Sequence, residues 1–211
     1  MKMKALYAAV MLALLFATAA PLAAQTKDVI DEWASVQAPK PPELKPVTLE
    51  PSTTALLVLD FIKQTCNSER RPRCLASIPK VEGLLKQARA KKLTVIHSIT
   101  TNATPGDIAK ELAPADGEPI VKSSADKFLG TDLEKILKEK GVKTVIVTGT
   151  AAHGAVLYTG SEAAYRGFKV VVPVDGMSSE NTYFEQYTAY QMANGPGIGQ
   201  NTTLTRIEMI K

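Results

Sequence analysis

Three places in the chain combine residue types that could act together on a small molecule. Asp60 ends the apolar run Ala55–Leu59, Lys122 ends the run Glu118-Pro-Ile-Val-Lys122, and a turn of small residues, Gly149-Thr-Ala-Ala-His-Gly154, leads to Ala155 and a helical pattern. A carboxyl and an ammonium group supply acid–base and electrostatic chemistry, while the first N–H groups of a helix point outward and favour negative charge. Taken singly, each has an ordinary explanation. A strand-end Asp also serves as a cap or turn former, and a lysine is usually solvated.

The elements around them decide whether these groups meet. From Thr53 onward, apolar runs alternate with amphipathic segments. Strands are expected at Ala55–Leu59, Leu93–Ile99, Ile120–Val121, Val142–Thr148, Phe168–Val174 and Thr202–Glu208. Helices are expected at Ile78–Lys91, with Val81, Leu84, Leu85 and Ala88 on one face, at Thr131–Lys140, at Ala155–Arg166 and at Phe184–Met192. Gly141 and Gly167 stop the second and third of these. Continuous apolar strands separated by helices predict an α/β fold, a mainly parallel sheet covered on both faces. Ligands of such sheets sit outside the carboxyl ends of the strands, where Asp60, Lys122 and Gly149–Ala155 all fall.

These residues resemble the isochorismatase-like cysteine hydrolases, a family that includes nicotinamidases, N-carbamoylsarcosine amidohydrolases and isochorismatases. The similarity extends through Pro105-Gly-Asp-Ile-Ala-Lys-Glu-Leu-Ala-Pro114, Gly117–Lys122, Phe128-Leu-Gly-Thr-Asp-Leu133, Gly149–Thr159, Ala163–Phe168 and Val170–Asp175. It implies a three-layer αβα sandwich and a triad of Asp60, Lys122 and a cysteine. It also implies a cis peptide bond between Thr150 and Ala151, and an oxyanion pocket made by amides near Ala151 and Ala155. Phe128, Thr150, Ala151, His153 and Gly154 are then expected to line the pocket. The departure is Ala155, which stands where the family places its nucleophilic cysteine. Hydrolysis through a thioester is closed to this chain. The resemblance to isochorismatases, which lack the thiol, implies instead that Asp60 acts as general acid on an enol ether. The alternative is a binding or interaction protein that kept the fold and lost catalysis.

The rest of the chain bounds the setting. Lys2 and Lys4, an apolar stretch from Ala5 to about Ala20, and Pro21-Leu-Ala-Ala24 have the layout of a cleavable signal peptide over residues 1–24. Export to the periplasm or beyond is the expectation, with no membrane attachment after cleavage. Residues 25–52 hold five prolines, Pro39, Pro41, Pro42, Pro46 and Pro51, and read as an extended arm laid over the domain 53–211 or over a partner subunit. Of 25 basic and 21 acidic side chains, residues 1–24 take two lysines and no acid, so the mature part is near neutral and gives no reason to expect nucleic acid as partner. A homo-oligomer acting on, or binding, a small molecule is the implied state. In an exported chain, Cys66 and Cys74 read first as a disulfide. Arg70, Arg71 and Arg73 between them form either a solvated basic loop or an attractor for anions. His97 in the second strand reads as a structural hydrogen-bonder, and His153 as a pocket residue or proton carrier. Tyr158 reads as packing. Neither Asn194–Gln200 nor Gly149–Gly154 carries the Lys-Ser/Thr of a phosphate loop, and Ser98–Asn102 lacks the Asp and His of a metal site, so neither cofactor nor catalytic metal is expected.

Overall fold

The structure is a computed structural model that describes residues 27–211; the expected signal peptide lies outside the described residues. The chain divides into two compact units, one ending at Lys40 and one spanning Pro41–Lys211. In the first, Asp28 accepts hydrogen bonds from the amides of Ile30 and Asp31 and starts a turn that leaves Trp33 exposed.

The second unit is built on a seven-stranded sheet of β1 (Thr54–Leu59), β2 (Thr94–Ile99), β3 (Ile120–Lys122), β4 (Thr144–Thr150), β5 (Lys169–Pro173), β6 (Met177–Ser178) and β7 (Thr202–Thr205). The order is β3-β2-β1-β4-β5-β7, every pairing is parallel, and β6 continues the pairing of β4 beyond the end of β5. Four helices cover it: α1 (Pro72–Ala90), α2 (Leu133–Glu139), α3 (Leu157–Tyr165) and α4 (Thr182–Asn194).

Strand β1 is buried at all six positions and sends alternate side chains into two separate cores. Leu57 and Leu59 join Leu133, Leu137, Ala163, Ala164 and Met192 of α2, α3 and α4 on one face. Leu56 and Val58 join Ile78, Val81, Leu84, Leu85 and Ala88 of α1 on the other. That division makes the three-layer sandwich.

Several boundaries differ from expectation for local reasons. Helix α1 starts at Pro72 rather than Ile78, because proline at a first helical position loses no hydrogen bond, and it continues through Pro79. Asn181 caps α4 by accepting from the Phe184 amide, which moves its start to Thr182. Strand β7 stops at Thr205, where Ile207–Met209 turn. Part of the proline-rich arm belongs to the domain: the amides of Lys45, Val47 and Leu49 donate to the carbonyls of Leu204, Met209 and Lys211. Val47 forms a parallel bridge with Ile210.

Candidate active site

Register brings the two most important strand ends together. Leu59 of β1 lies opposite Gly149 of β4, so Asp60 leaves β1 beside Thr150, the last residue of β4. Gly149 is required there, since a Cβ would sit 2.6 Å from the Leu59 carbonyl oxygen. Asp60 follows with φ of 56°, a conformation that Asp tolerates better than most residues. The Thr150–Ala151 peptide is cis. A wide π-type turn, Ala152–Val156, then passes directly into α3.

Asp60 is buried, and its oxygens are both engaged. Oδ1 accepts from the Ser98 hydroxyl at 2.7 Å, and Oδ2 meets the Lys127 ammonium at 2.7 Å. Lys127 is completely buried and also donates to the carbonyl oxygens of Ser123 and Ser124. Its three N–H donors are thus all in use, which leaves none to offer a ligand. Burial pushes the Asp60 carboxyl up, against the opposing pull of Lys127, Ser98 and Arg71. The Lys127 loop is fastened to α3, where Thr159 Oγ1 accepts from the Lys127 amide at 3.1 Å. The carboxylate, the ammonium and the helix that follows the Ala155 turn therefore form one connected structure.

The residues expected from sequence separate into two groups. Asp60, Ala151 and Ala155 lie at the joined strand ends, Ala155 almost fully buried. Lys122 does not join them: Val121 points into the core, so alternation turns Lys122 to solvent, and the lysine that meets Asp60 is Lys127. Phe128 is a core residue rather than a pocket wall. Its ring stacks on Phe168 at 6.3 Å, with the Arg166 guanidinium 4.6 Å above it. Thr150 turns its hydroxyl to the Ser178 carbonyl, and the Gly154 amide is committed to the Ala151 carbonyl inside the turn. His97 bonds Glu118 at 2.9 Å, which Arg89 of α1 also grips, fixing β2 to α1.

A second cluster joins the expected disulfide and its basic loop to acidic residues that the sequence did not mark. Cys66 and Cys74 are joined, and the loop they close presents Arg71, buried, to Glu180 Oε1 at 2.8 and 2.6 Å. Arg73 holds Glu185 of α4. All three arginines thus face carboxylates, Arg70 at 4.0 Å from Glu180, and Arg71 alone among them is buried. Arg71 was marked only as part of a basic loop, and Ser98 and Glu180 gave no sequence signal, since their partners lie far along the chain. Lys127 had one, its place directly before the motif beginning at Phe128. A cavity of about 380 Å³ opens at the opposite end of the sheet, beside Thr54, Thr144 and Lys169, which are the first residues of β1, β4 and β5.

A doubly covered parallel sheet with a buried carboxylate–ammonium pair beside a cis peptide and a helix start defines a recognisable class of α/β protein. The chain belongs to the isochorismatase family: the family model described as the isochorismatase domain matches residues 54–205. It is 29% identical over 153 residues to an N-carbamoylsarcosine amidase of Arthrobacter sp, covering 59% of this chain and 58% of that protein. It is 30% identical over 117 residues to a secreted isochorismatase effector of Verticillium dahliae, covering 50% of this chain and 62% of the effector. The chain therefore spans about three fifths of the curated relatives it matches. Among solved structures, an isochorismatase family protein from Desulfovibrio vulgaris superposes with a TM-score of 0.68 at 22% identity, over 74% of this chain and 95% of that one. An N-carbamoylsarcosine amidase from Thermoplasma acidophilum gives 0.62 at 19% identity, over 74% and 97%. These superpositions show the fold.

Proposed function

We propose that this chain is an exported hydrolase of a small molecule that works without a thiol, using Asp60 as its acid and base. The observation that carries the reading is the buried Asp60–Lys127 pair, kept while the nucleophile position holds only the methyl group of Ala155. Removing a nucleophile from a site that depended on it leaves the remaining ion pair as a desolvation cost with no return. Retention of the pair argues that it still has work.

The chemistry suited to these groups is hydrolysis of a vinyl ether or a related C–O or C–N bond. A protonated Asp60 delivers its proton to the enol carbon, and the positive charge moves to the carbon bearing oxygen. Water adds there and returns a proton to the carboxylate, and the resulting hemiketal falls apart to a carbonyl compound and an alcohol. Burial favours the protonated acid that the first step needs. Lys127 then stabilises the carboxylate that forms, and Ala155 leaves room for water or substrate. No covalent enzyme intermediate is involved.

Export is supported by the signal-like residues 1–24, the Cys66–Cys74 disulfide and the similarity to a secreted effector. A second reading, a binding protein on the same fold, is favoured by the absence of any nucleophile at position 155. The test is a mass-resolved screen of the protein against pooled amides, esters and enol ethers, with Asp60→Asn in parallel. Turnover that falls about a hundredfold or more in the variant supports the hydrolase. Turnover untouched by the substitution sinks the role of Asp60. A ligand retained by both proteins without turnover transfers the reading to binding.

A further inference from the structure

His153 lies in the turn between the cis peptide and Ala155, and its surroundings are more ordered than a pocket wall requires. Its ring stacks on Phe184 of α4, with centroids 4.0 Å apart and an interplanar angle of 23°. Nδ1 is 2.8 Å from Ser179 Oγ, and Ser179 Oγ donates to Glu180 Oε2 at 2.9 Å. Glu180 Oε1 is held by Nε and Nη2 of Arg71, which the disulfide loop presents. Among the described residues, Nε2 of His153 makes no hydrogen bond.

The directions of these bonds follow from proton counting. Arg71 has only donors, so Glu180 faces it as a carboxylate with lone pairs alone to offer. The single Ser179 hydroxyl proton must lie toward Glu180, because two oxygens at 2.9 Å without a proton between them repel. Ser179 can then meet His153 only as an acceptor, and the Nδ1 of His153 must carry the proton. We infer that Arg71, Glu180 and Ser179 act as a positioning chain that keeps the proton of neutral His153 on Nδ1. Nε2 is left as an unprotonated nitrogen at the Ala155 turn, able to take a proton from water or a bound molecule.

The inference deepens the proposed site and rests on that turn being where chemistry occurs, yet its test needs no substrate. The whole chain contains two histidines, so a long-range proton–nitrogen NMR spectrum of the labelled protein shows two rings, assigned with His153→Gln. At a pH where the ring is neutral, His153 should show the Nδ1–H form. Ser179→Ala removes the acceptor and should give a mixture of tautomers. In Glu180→Gln, the side-chain amide can donate to Ser179, which frees the serine proton for His153; the ring should shift toward the Nε2–H form. Unchanged His97 signals in each variant show that the fold is intact. An Nε2–H ring in the unmodified protein, or a ring indifferent to both substitutions, overturns the chain whatever the substrate screen returns.

Discussion

Lys122 and Lys127 share a side chain and a stretch of chain, yet only Lys127 has been taken out of water. Its ammonium is surrounded by Asp60, Ser123 and Ser124, whereas Lys122 points to solvent at the end of β3. Lys127→Met should therefore abolish turnover and lower stability. Breaking a buried pair costs about 3–5 kcal/mol when the other charge is stranded, and here less, because the Asp60 carboxyl, already pushed up by burial, can take a proton. Lys122→Met should leave both within experimental error, and denaturant titration with an activity assay distinguishes the two. Asp60 was legible in sequence because it ends a continuous apolar strand. Lys127 was less so, since it sits in a loop where no periodicity separates inward from outward and only its place before the Phe128 motif marks it. The same holds for Ser98: a serine in a strand is common, and only the register of β1 against β2 reveals that it faces Asp60.

Among the elements, the strands were the most readable, because residues buried on both faces leave an unbroken apolar run. Helix α1 was readable in its middle and not at its start, where Pro72 and Cys74 look like loop residues until the disulfide is drawn. That cross-link closes a loop of sequence separation 8 and sets the arginine that grips Glu180. Chain-entropy arguments give such a loop about 2–3 kcal/mol of stabilisation. The Cys66→Ser, Cys74→Ser double variant should unfold at correspondingly lower denaturant concentration. It should also loosen Arg71, so turnover should fall more than the loss of stability alone explains, when assayed well below the unfolding temperature.

For the molecule as a whole, three ionisable groups tie distant parts of the chain together and set its response to acid. Burial opposes ionisation of Glu118, yet Arg89, the Ala115 amide and His97 bring it down to about 2 from 4.5. Burial likewise opposes Glu180, which Arg71 and Ser179 among others bring down to about 2 from 4.5. A carboxyl with a lowered folded value stabilises the fold above its unfolded value and stops doing so as pH falls through the folded one. Stability should accordingly decline between about pH 4.5 and about pH 2, by on the order of 3 kcal/mol after allowance for partial exposure. His97, pushed below 6.5 by burial, adds a loss that begins at higher pH. Urea unfolding at a series of pH values checks the slope, and Glu118→Gln should flatten part of it. The way the chain uses its sulfur has one more consequence. Both cysteines of the chain are spent on their mutual bond, so no sulfhydryl remains for peroxide, alkylating agents or heavy metals to cap. A relative that relied on a thiolate would be poisoned by oxidising surroundings; this chain has no thiolate to lose.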